Sequence, residues 1–260
     1  MDHSYWQKQS ADKPLFPDLL WSRPENKKQA GKLLIVGGNA HGFSAAAEAY
    51  TESVKAGIGS ARVLLPDSLQ KTVCRIFEAG EYGPSSASGS FGQKALAEMM
   101  EMADWADGAL LTGDLGRNSE TAILLEKFAD KYQGMLSITQ DAADYFTKLS
   151  RILDRENTLL VLSFAQLQKI ATVSKFSTAF RYEMDFLHLI EALHNFTQIH
   201  AASIIVRREE TIFVSVKGQV SSTKIDNDQK IWRVKTASHA AVWWLQNPTK
   251  IFEALSTSLV

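Results

Sequence analysis

The chain has 260 residues, of which 45% are hydrophobic, and this is enough for one large α/β domain or at most two small ones. Its 28 basic and 29 acidic residues give a net charge of −1, so the composition implies no attraction to nucleic acid or to an anionic membrane. The N-terminal stretch lacks the apolar core of a signal peptide, and no apolar run approaches the ~20 residues of a membrane helix. A single cysteine excludes an internal disulfide, so we expect a cytoplasmic protein.

Residues 1–30 are mostly polar, and Trp6, Phe16 and Trp21 are their main aromatic positions. They predict an irregular arm, with one helical turn, that precedes an α/β domain over residues 31–260. Aromatic residues in such an arm can lie at a subunit contact or pack on the parent domain, and for the arm we expect the second. For the protein as a whole we predict a homo-oligomer.

Residues 32–66 predict one βαβ unit. Residues 33–36 form an apolar run of the kind found in buried parallel strands, and a glycine pair ends it. Ser44 is a natural N-cap for the helix that follows, and Gly57 provides its stop. A second apolar run at 61–65 completes the unit with loops of ordinary length.

The middle of the chain continues the alternation of strands and helices. Apolar runs predict further strands, at residues 109–111, 135–139, 158–162 and 203–206. Amphipathic patterns predict helices, at residues 67–78, 93–102, 119–131, 142–149, 164–171 and 178–197. Residues 82–92 are rich in glycine and serine and predict a flexible surface connection; a loop that closes over a ligand is the alternative.

The last part of the chain predicts an antiparallel finish. Residues 211–216 and 220–225 predict a β-hairpin, and 226–228 a turn. A further strand is predicted at 231–234, followed by helices at 238–246 and 249–259. This pattern predicts a three-layer α/β sandwich with a largely parallel sheet. The first five apolar runs of the domain should be neighbouring parallel strands, because such runs must be covered on both faces.

The βαβ unit resembles the opening of the NAD(P)H-hydrate dehydratase family, a branch of the ribokinase-like superfamily. That family has a glycine pair after strand one, a Gly-Ala pair at the helix start, a Gly-x-Gly before strand two and a proline after it. Here those places hold Gly37-Gly38, Ser44-Ala45, Gly57-Ile58-Gly59 and Pro66. The resemblance implies a ribokinase-like fold. It also implies repair of hydrated nicotinamide cofactors, by phosphorylation of the hydrate from ATP or ADP and elimination of phosphate.

The resemblance implies a substrate side at the ends of the early strands. The loop after the first strand frames the hydrated nicotinamide in the family. Its candidate contacts to NADPH or its hydrate are Gly38, Asn39, His41, Phe43 and Ala45. An ordinary solvated loop is the alternative.

Two aspartates follow later strands of the same predicted sheet. Where the family has Gly-Pro-Gly-Leu-Gly, this chain reads Thr112-Gly113-Asp114-Leu115-Gly116. Gly116 is kept as a candidate substrate contact, whereas Asp114 replaces a glycine that allows close backbone approach. Asp114 is either a new catalytic acid or base or a residue of a local turn. Asp141, which keeps an aspartate of the family's next strand end, is either catalytic or a helix N-cap.

The nucleotide side departs further from the family. A late strand end keeps a cation, Arg207, with Thr211 after it. The family then requires Gly-x-Gly-Asp at the start of a helix, whose amides form an anion hole and whose aspartate activates the substrate hydroxyl. Residues 235–240 stand there without a glycine or an aspartate, which leaves Ser238 and His239 as the candidate nucleotide contacts.

The sequence therefore predicts a degenerate, non-catalytic member that binds a nucleotide-type ligand, such as NADPH or its hydrate, or a partner. A histidine on the substrate side is missing as well, because Ser163-Phe164-Ala165 replaces the family's Thr-Pro-His. The alternatives are an active dehydratase, which would use ATP or ADP with Mg²⁺, and a small-molecule kinase of the same superfamily, which would need the same anion hole. The six-residue spacing of His188, His194 and His200 does not predict a metal site.

Overall fold

The computed structural model describes residues 3–225 and 232–260. The described strands are β1 Trp6–Gln9, β2 Lys32–Val36, β3 Ser60–Pro66, β4 Gly80–Gly83, β5 Gly108–Leu111, β6 Met135–Thr139, β7 Thr158–Leu162, β8 Ser203–Arg208, β9 Thr211–Val216 and β10 Gln219–Lys224. The described helices are α1 Pro17–Trp21, α2 Ser44–Lys55, α3 Gln70–Val73, α4 Leu96–Trp105, α5 Ser119–Lys131, α6 Ala142–Phe146, α7 Phe164–Val173, α8 Phe186–Ile199, α9 Trp232–Gln246 and α10 Ile251–Thr257. Among these helices none is long and apolar enough to cross a membrane.

The strands form one ten-stranded sheet in the order β1-β10-β9-β8-β7-β6-β5-β2-β3-β4. The strands from β3 through β2, β5, β6 and β7 are parallel neighbours, which confirms the predicted arrangement of the first five apolar runs. Strands β8, β9 and β10 are antiparallel, which confirms the predicted hairpin. The sheet is therefore largely parallel, as predicted.

Side chains of the central strands are buried on both faces of the sheet. In β2, Leu34 and Val36 join one apolar cluster, whereas Leu33 and Ile35 join another. The first cluster includes residues of α4, α5 and α8, and the second includes residues of α2, α9 and α10. Because strand side chains alternate between faces, this pattern places helices on both sides of the sheet and confirms the three-layer sandwich.

The N-terminal arm is not irregular throughout, because its first strand joins the sheet. Strand β1 pairs in parallel with β10, so that Trp6 lies opposite Val220. The Gln9 side chain is buried and donates to Thr223 Oγ1 at 2.8 Å and to the carbonyl oxygen of Ser256 at 2.6 Å. The predicted helical turn of the arm is present as α1.

Several predicted element bounds differ from the structure. The helix predicted over 67–78 is a 3₁₀ turn, Asp67–Leu69, followed by the one-turn helix α3. The connection predicted over 82–92 begins within β4, which pairs with β3. The helix predicted over 178–197 begins only at Phe186, where Asp185 caps it by accepting a hydrogen bond from the backbone of His188.

The strand predicted over 231–234 is wrong for its described part, because Trp232 begins α9. Val234, Ala237, Ala241 and Trp244 are all buried and recur at the spacing of one helix face. A short apolar run cannot be assigned to strand or helix by itself, and here packing of the whole face decides. Ile231 and the turn predicted at 226–228 lie outside the described residues.

The chain reverses its direction across the sheet between β2 and β5. From β2 it proceeds through β3 to β4 on one side, and from β5 it proceeds through β6 and β7 to β8 on the other. In open α/β sheets, ligands bind beyond the carboxyl ends of the strands at such a switch point. The loops that follow Val36 and Leu111 are therefore the place to look for a site.

Candidate functional site

The loops after β2 and β5 pack backbone against backbone at the switch point. The amide of Gly38 donates to the carbonyl oxygen of Gly113 at 3.0 Å. A Cβ atom on Gly37 would lie 2.2 Å from Thr112 Oγ1 and 2.9 Å from the Gly113 carbonyl oxygen, so only glycine fits at this position. The glycine pair therefore allows the two loops to approach, and Gly38 contributes through its backbone.

The side chain of Asn39 joins the same two loops. Its amide nitrogen donates to the carbonyl oxygen of Asp114, and its amide oxygen accepts from the backbone of His41 at 2.7 Å. His41 itself is exposed, and the ring of Phe43 packs against Phe77 with their centroids 5.7 Å apart. Of these predicted contacts, His41 has the most accessible side chain.

A third segment, residues 84–92, lies against both loops. Gly89 accepts a hydrogen bond from the backbone of Ala40 at 2.8 Å, and Asn118 donates to Ser86 Oγ at 2.7 Å. Gly116 has a φ of 73°, and a Cβ atom there would lie 2.8 Å from Ser90 Oγ. The segment is thus hydrogen-bonded to both loops at the switch point.

Asp114 caps the first turn of α2 from the neighbouring loop. Its Oδ2 accepts from the backbone of Ala45 at 2.8 Å and from Ser44 Oγ at 3.0 Å. The residue adopts a left-handed φ of 61°, and the helix has no side-chain cap of its own. Because the positive end of a helix favours negative charge, the carboxylate takes the position that an anionic ligand group would otherwise use.

Replacement of Asp114 should reveal its two structural roles. We expect Asp114→Ala to lower the free energy of unfolding by about 2 kcal/mol, because it removes a helix cap and forces alanine into the left-handed region. Asp114→Gly also loses the cap but adopts the backbone conformation freely, so it should be the less destabilised variant. Urea unfolding measures both values, and a glycine variant less stable than the alanine variant would contradict this account.

Asp141 lies at the carboxyl end of β6, one residue before α6, but its side chain does not cap that helix. Instead Oδ2 accepts from the backbone of Leu115 at 3.1 Å, in the loop after β5. The other oxygen, Oδ1, is buried without a hydrogen-bond partner among the described residues. Burial raises the pKa of Asp141, and the nearby charge of Asp114 adds to the rise, while the bond from Leu115 opposes it. Asp141 thus combines a raised pKa with a buried oxygen that has no partner among the described residues.

A buried glutamine links the ends of β6 and β7. Gln166, in the first turn of α7, forms a capping box with Ser163. Its Nε2 donates to the carbonyl oxygen of Gln140 at 2.8 Å and to Asp144 Oδ1 at 2.9 Å. Its Oε1 accepts from Nη1 of Arg233, in the first turn of α9, at 3.0 Å. The Ser-x-x-Gln spacing signals the capping box in the sequence, but the contact with Arg233 has no local signal.

Arg207 and Thr211 come together at the opposite part of the same sheet edge. They line an open groove of about 640 Å³ with Glu209, Glu210 and Lys224, at the ends of β8, β9 and β10. The guanidinium Nε of Arg207 donates to the carbonyl oxygen of Glu209 at 2.7 Å. The structure thus brings together two of the four predicted nucleotide contacts.

The other two predicted nucleotide contacts, Ser238 and His239, lie within α9. Ser238 is fully buried, and its hydroxyl donates to the carbonyl oxygen of Val234 at 2.8 Å. His239 Nε2 lies 3.1 Å from Oε2 of Glu52 on α2, and Lys55 also contacts Glu52. Both side chains therefore have partners within and between helices.

The contact between His239 on α9 and Glu52 on α2 affects the pKa of both side chains. Burial lowers the pKa of His239, and the hydrogen bond to Glu52 only partly opposes this. Burial also disfavours the charge of Glu52, but bonds from Lys55 and His239 outweigh it and leave the pKa of Glu52 below its ordinary value. The folded protein therefore binds a proton on His239 less readily than the unfolded chain does.

Stability should consequently depend on pH through His239. We expect the free energy of unfolding to fall as the pH decreases from about 6.5 through the lower pKa of folded His239, because the unfolded chain takes up the proton more readily in that window. His239→Gln keeps an amide that can donate to Glu52 but cannot titrate, so its stability should fall less. Urea titrations between about pH 5 and pH 8 test this. Identical pH profiles for the two proteins would exclude it.

Metal ligands do not cluster in the described part of the chain. Over residues 3–225 and 232–260, no three histidine, cysteine, aspartate or glutamate side chains are close enough to hold a metal ion. His188 pairs with Asp185, and His200 pairs with Asp154 at 2.9 Å. His194 Nδ1 contacts the carbonyl oxygen of Gly218. The three histidines thus have separate surroundings.

The fold is ribokinase-like, because solved structures of ribokinase-like proteins match it over most of the chain. A ribokinase-like superfamily protein from Enterococcus faecalis matches it with a TM-score of 0.73 and 14% identity, over 100% of this chain and 86% of that one. An ADP/ATP-dependent NAD(P)H-hydrate dehydratase from Bacillus subtilis, co-crystallised with ATP and Mg²⁺, gives 0.62 and 10%, over 95% and 86%. Ribokinase from Cryptococcus neoformans in complex with ADP gives 0.55 and 12%, over 88% and 91%.

These similarities lie in the fold. No protein-family model matches the sequence, and no curated protein sequence matches it either. The structures nevertheless confirm the predicted ribokinase-like class and the resemblance to the NAD(P)H-hydrate dehydratase. One fold of this kind hosts several activities, so function has to be argued from the site.

Proposed function

We propose that this protein is a non-catalytic relative of the NAD(P)H-hydrate dehydratases, which binds a nucleotide-type ligand such as NADPH or its hydrate at the switch point. The observation that carries the proposal is the position of residues 235–240 inside α9, where the dehydratase motif implies an amide-lined loop. The ligand would lie beside the loops after β2 and β5, under segment 84–92.

Helical backbone at 235–240 does not fit a phosphate group in the manner of the family. In an α-helix each amide beyond the first turn donates to the carbonyl oxygen four residues earlier. Since α9 begins at Trp232, the amides of residues 236–240 are used within the helix. The described residues of this segment also include no aspartate that could act as the base. Both features support binding without phosphoryl transfer.

The substrate side retains the features that favour a ligand. Gly37 and Gly38 hold the backbone of two loops together, and His41 projects from one of them. Asp141 carries a buried oxygen without a partner among the described residues, which a ligand hydroxyl or amide could satisfy. The same aspartate, with its raised pKa, supports the alternative of an active dehydratase that uses Asp141 as an acid or base.

Calorimetric titration with NADPH, its hydrate, ATP and ADP tests the proposal. We expect binding of at least one of these ligands, and a loss of about tenfold in affinity for His41→Ala, because a stacking contact is removed. His188→Ala serves as the matched control, since His188 is an exposed histidine on α8. Absence of binding by all four ligands would refute the proposal, and an unchanged His41→Ala affinity would refute its location.

A further inference from the structure

We propose that Arg233 is an anion-binding residue, which holds a phosphate or diphosphate group of the ligand at the carboxyl ends of β6 and β7. This inference rests on the proposed function, because it names the chemistry of one end of the same ligand. The site consists of the Arg233 guanidinium and the residues that orient it.

Arg233 is half-buried, and most of its N–H donors have no partner in the described part of the chain. Among the described residues its one hydrogen bond is that from Nη1 to Gln166 Oε1 at 3.0 Å. No carboxylate in the described ranges lies within ion-pair distance of it. A guanidinium has five N–H donors, and a buried one is ordinarily paired. Within the described residues, the geometry thus leaves a charged fork without an anion.

The partner of Arg233 is neutral and rigid. Gln166 is only 5% exposed, and its Nε2 donates to both the Gln140 carbonyl oxygen and Asp144 Oδ1. Its Oε1 also accepts from the backbone of Ser163 at 3.0 Å. An amide held on both sides orients the guanidinium but does not neutralise its charge. The glutamine lies between Arg233 and Asp144, because it bonds to both of them.

The hydrogen-bonding geometry of the fork, rather than the surrounding charge, points to a phosphate group. Burial lowers the pKa of Arg233, and the charges of Asp144 and Asp141 oppose this without contacting the guanidinium. The guanidinium fork can donate two parallel hydrogen bonds to a phosphate group, and this direct contact opposes the repulsion that the two carboxylates exert on any anion. Arg233 would supply hydrogen-bond donors to the phosphate, which residues 235–240 do not supply because they lie within α9.

Calorimetric titration of the full chain with inorganic pyrophosphate tests the inference without depending on the identity of the nucleotide. We expect the wild-type protein to bind pyrophosphate and Arg233→Gln to lose at least about tenfold in affinity. Arg233→Lys keeps the charge but not the fork, so its affinity should be intermediate. Lys28→Gln makes the same change in net charge in the exposed turn before β2 and should bind as the wild type does.

Absence of pyrophosphate binding by the wild type would overturn the inference. Equal affinities of the wild type and Arg233→Gln for pyrophosphate would also overturn it. If the glutamine variant does not fold, an Arg233→Lys affinity equal to that of the wild type would overturn it instead. A different result would refute the proposed function alone. In that result the protein binds pyrophosphate through Arg233 but binds none of NADPH, its hydrate, ATP and ADP.

Discussion

Dehydration of hydrated NADPH by this protein in the presence of ATP is expected to be undetectable, or slower by roughly four or more orders of magnitude than in a relative with an intact Gly-x-Gly-Asp loop. A single anion-hole donor contributes about 10²–10³ in rate, and a general base about 10²–10⁴. Both are missing where residues 235–240 form part of α9. Single-turnover measurements with the purified hydrate would give the rate.

Restoring the motif by Ser238→Gly with His239→Asp should not restore activity. Ser238 is fully buried within the helix, so glycine there exposes no amide to a ligand. An aspartate at position 239 would face the carboxylate of Glu52, which now contacts His239 at 3.1 Å, and the two like charges would repel each other. The double variant should therefore be less stable and still inactive.

Robust turnover by the unmodified protein would contradict this prediction. Asp114 and Asp141 would then be the residues to replace, since these carboxylates lie beside the switch point. If neither alanine variant lost activity, the site itself would have to be sought elsewhere in the protein.

Arg155→Ala should lower the free energy of unfolding by about 3 kcal/mol or more. The guanidinium donates to six acceptors around the connections before β6 and β7, and none of the six is a carboxylate. The acceptors are the carbonyl oxygens of Ala129, Tyr132, Gly134, Glu156 and Asn157 and the hydroxyl of Thr158. Burial lowers the pKa of Arg155. Its removal would leave several part-buried carbonyl groups without a donor.

Arg151→Ala is the matched control for this prediction. Arg151 is near in sequence, but it is exposed and pairs with Glu126 and Asp130 on the surface. Surface ion pairs contribute about 0–1 kcal/mol, so the control should be close to the wild type in urea unfolding. Similar losses of unfolding free energy for the two variants would show that the hydrogen bonds of Arg155 do not contribute more to stability than a surface ion pair does.

The central sheet could be predicted because its strands carry their own signal. Residues 33–36 and 159–162 are apolar throughout, since both faces of those strands are covered by helices. Strand β1 could not be predicted, because Trp6–Gln9 is mostly polar and its place depends on pairing with β10. The strand predicted at 231–234 was wrong for its described part, which belongs to α9. A short apolar run fits both the strand and the helix periodicity until its packing partners are known.

The candidate site was predicted only where glycines determine the backbone. Gly37 and Gly38 signal a close approach of two loops, and the structure places them at the switch point. The role of Asp114 as the cap of α2 requires the loop after β5 to reach Ala45, 69 residues away in the chain. Arg233 had no signal at all, because its partner Gln166 is 67 residues away.

The pairing of β1 with β10 also determines the order in which the chain can assemble. Gln9 contacts Thr223 across 214 residues of sequence, so β1 is synthesised long before its pairing partner β10. Until then β1 has no neighbour, and the closure of so long a loop must follow the formation of the central strands. Strand β1 should therefore be the last to gain protection against hydrogen exchange during refolding, although it is synthesised before β2 to β10.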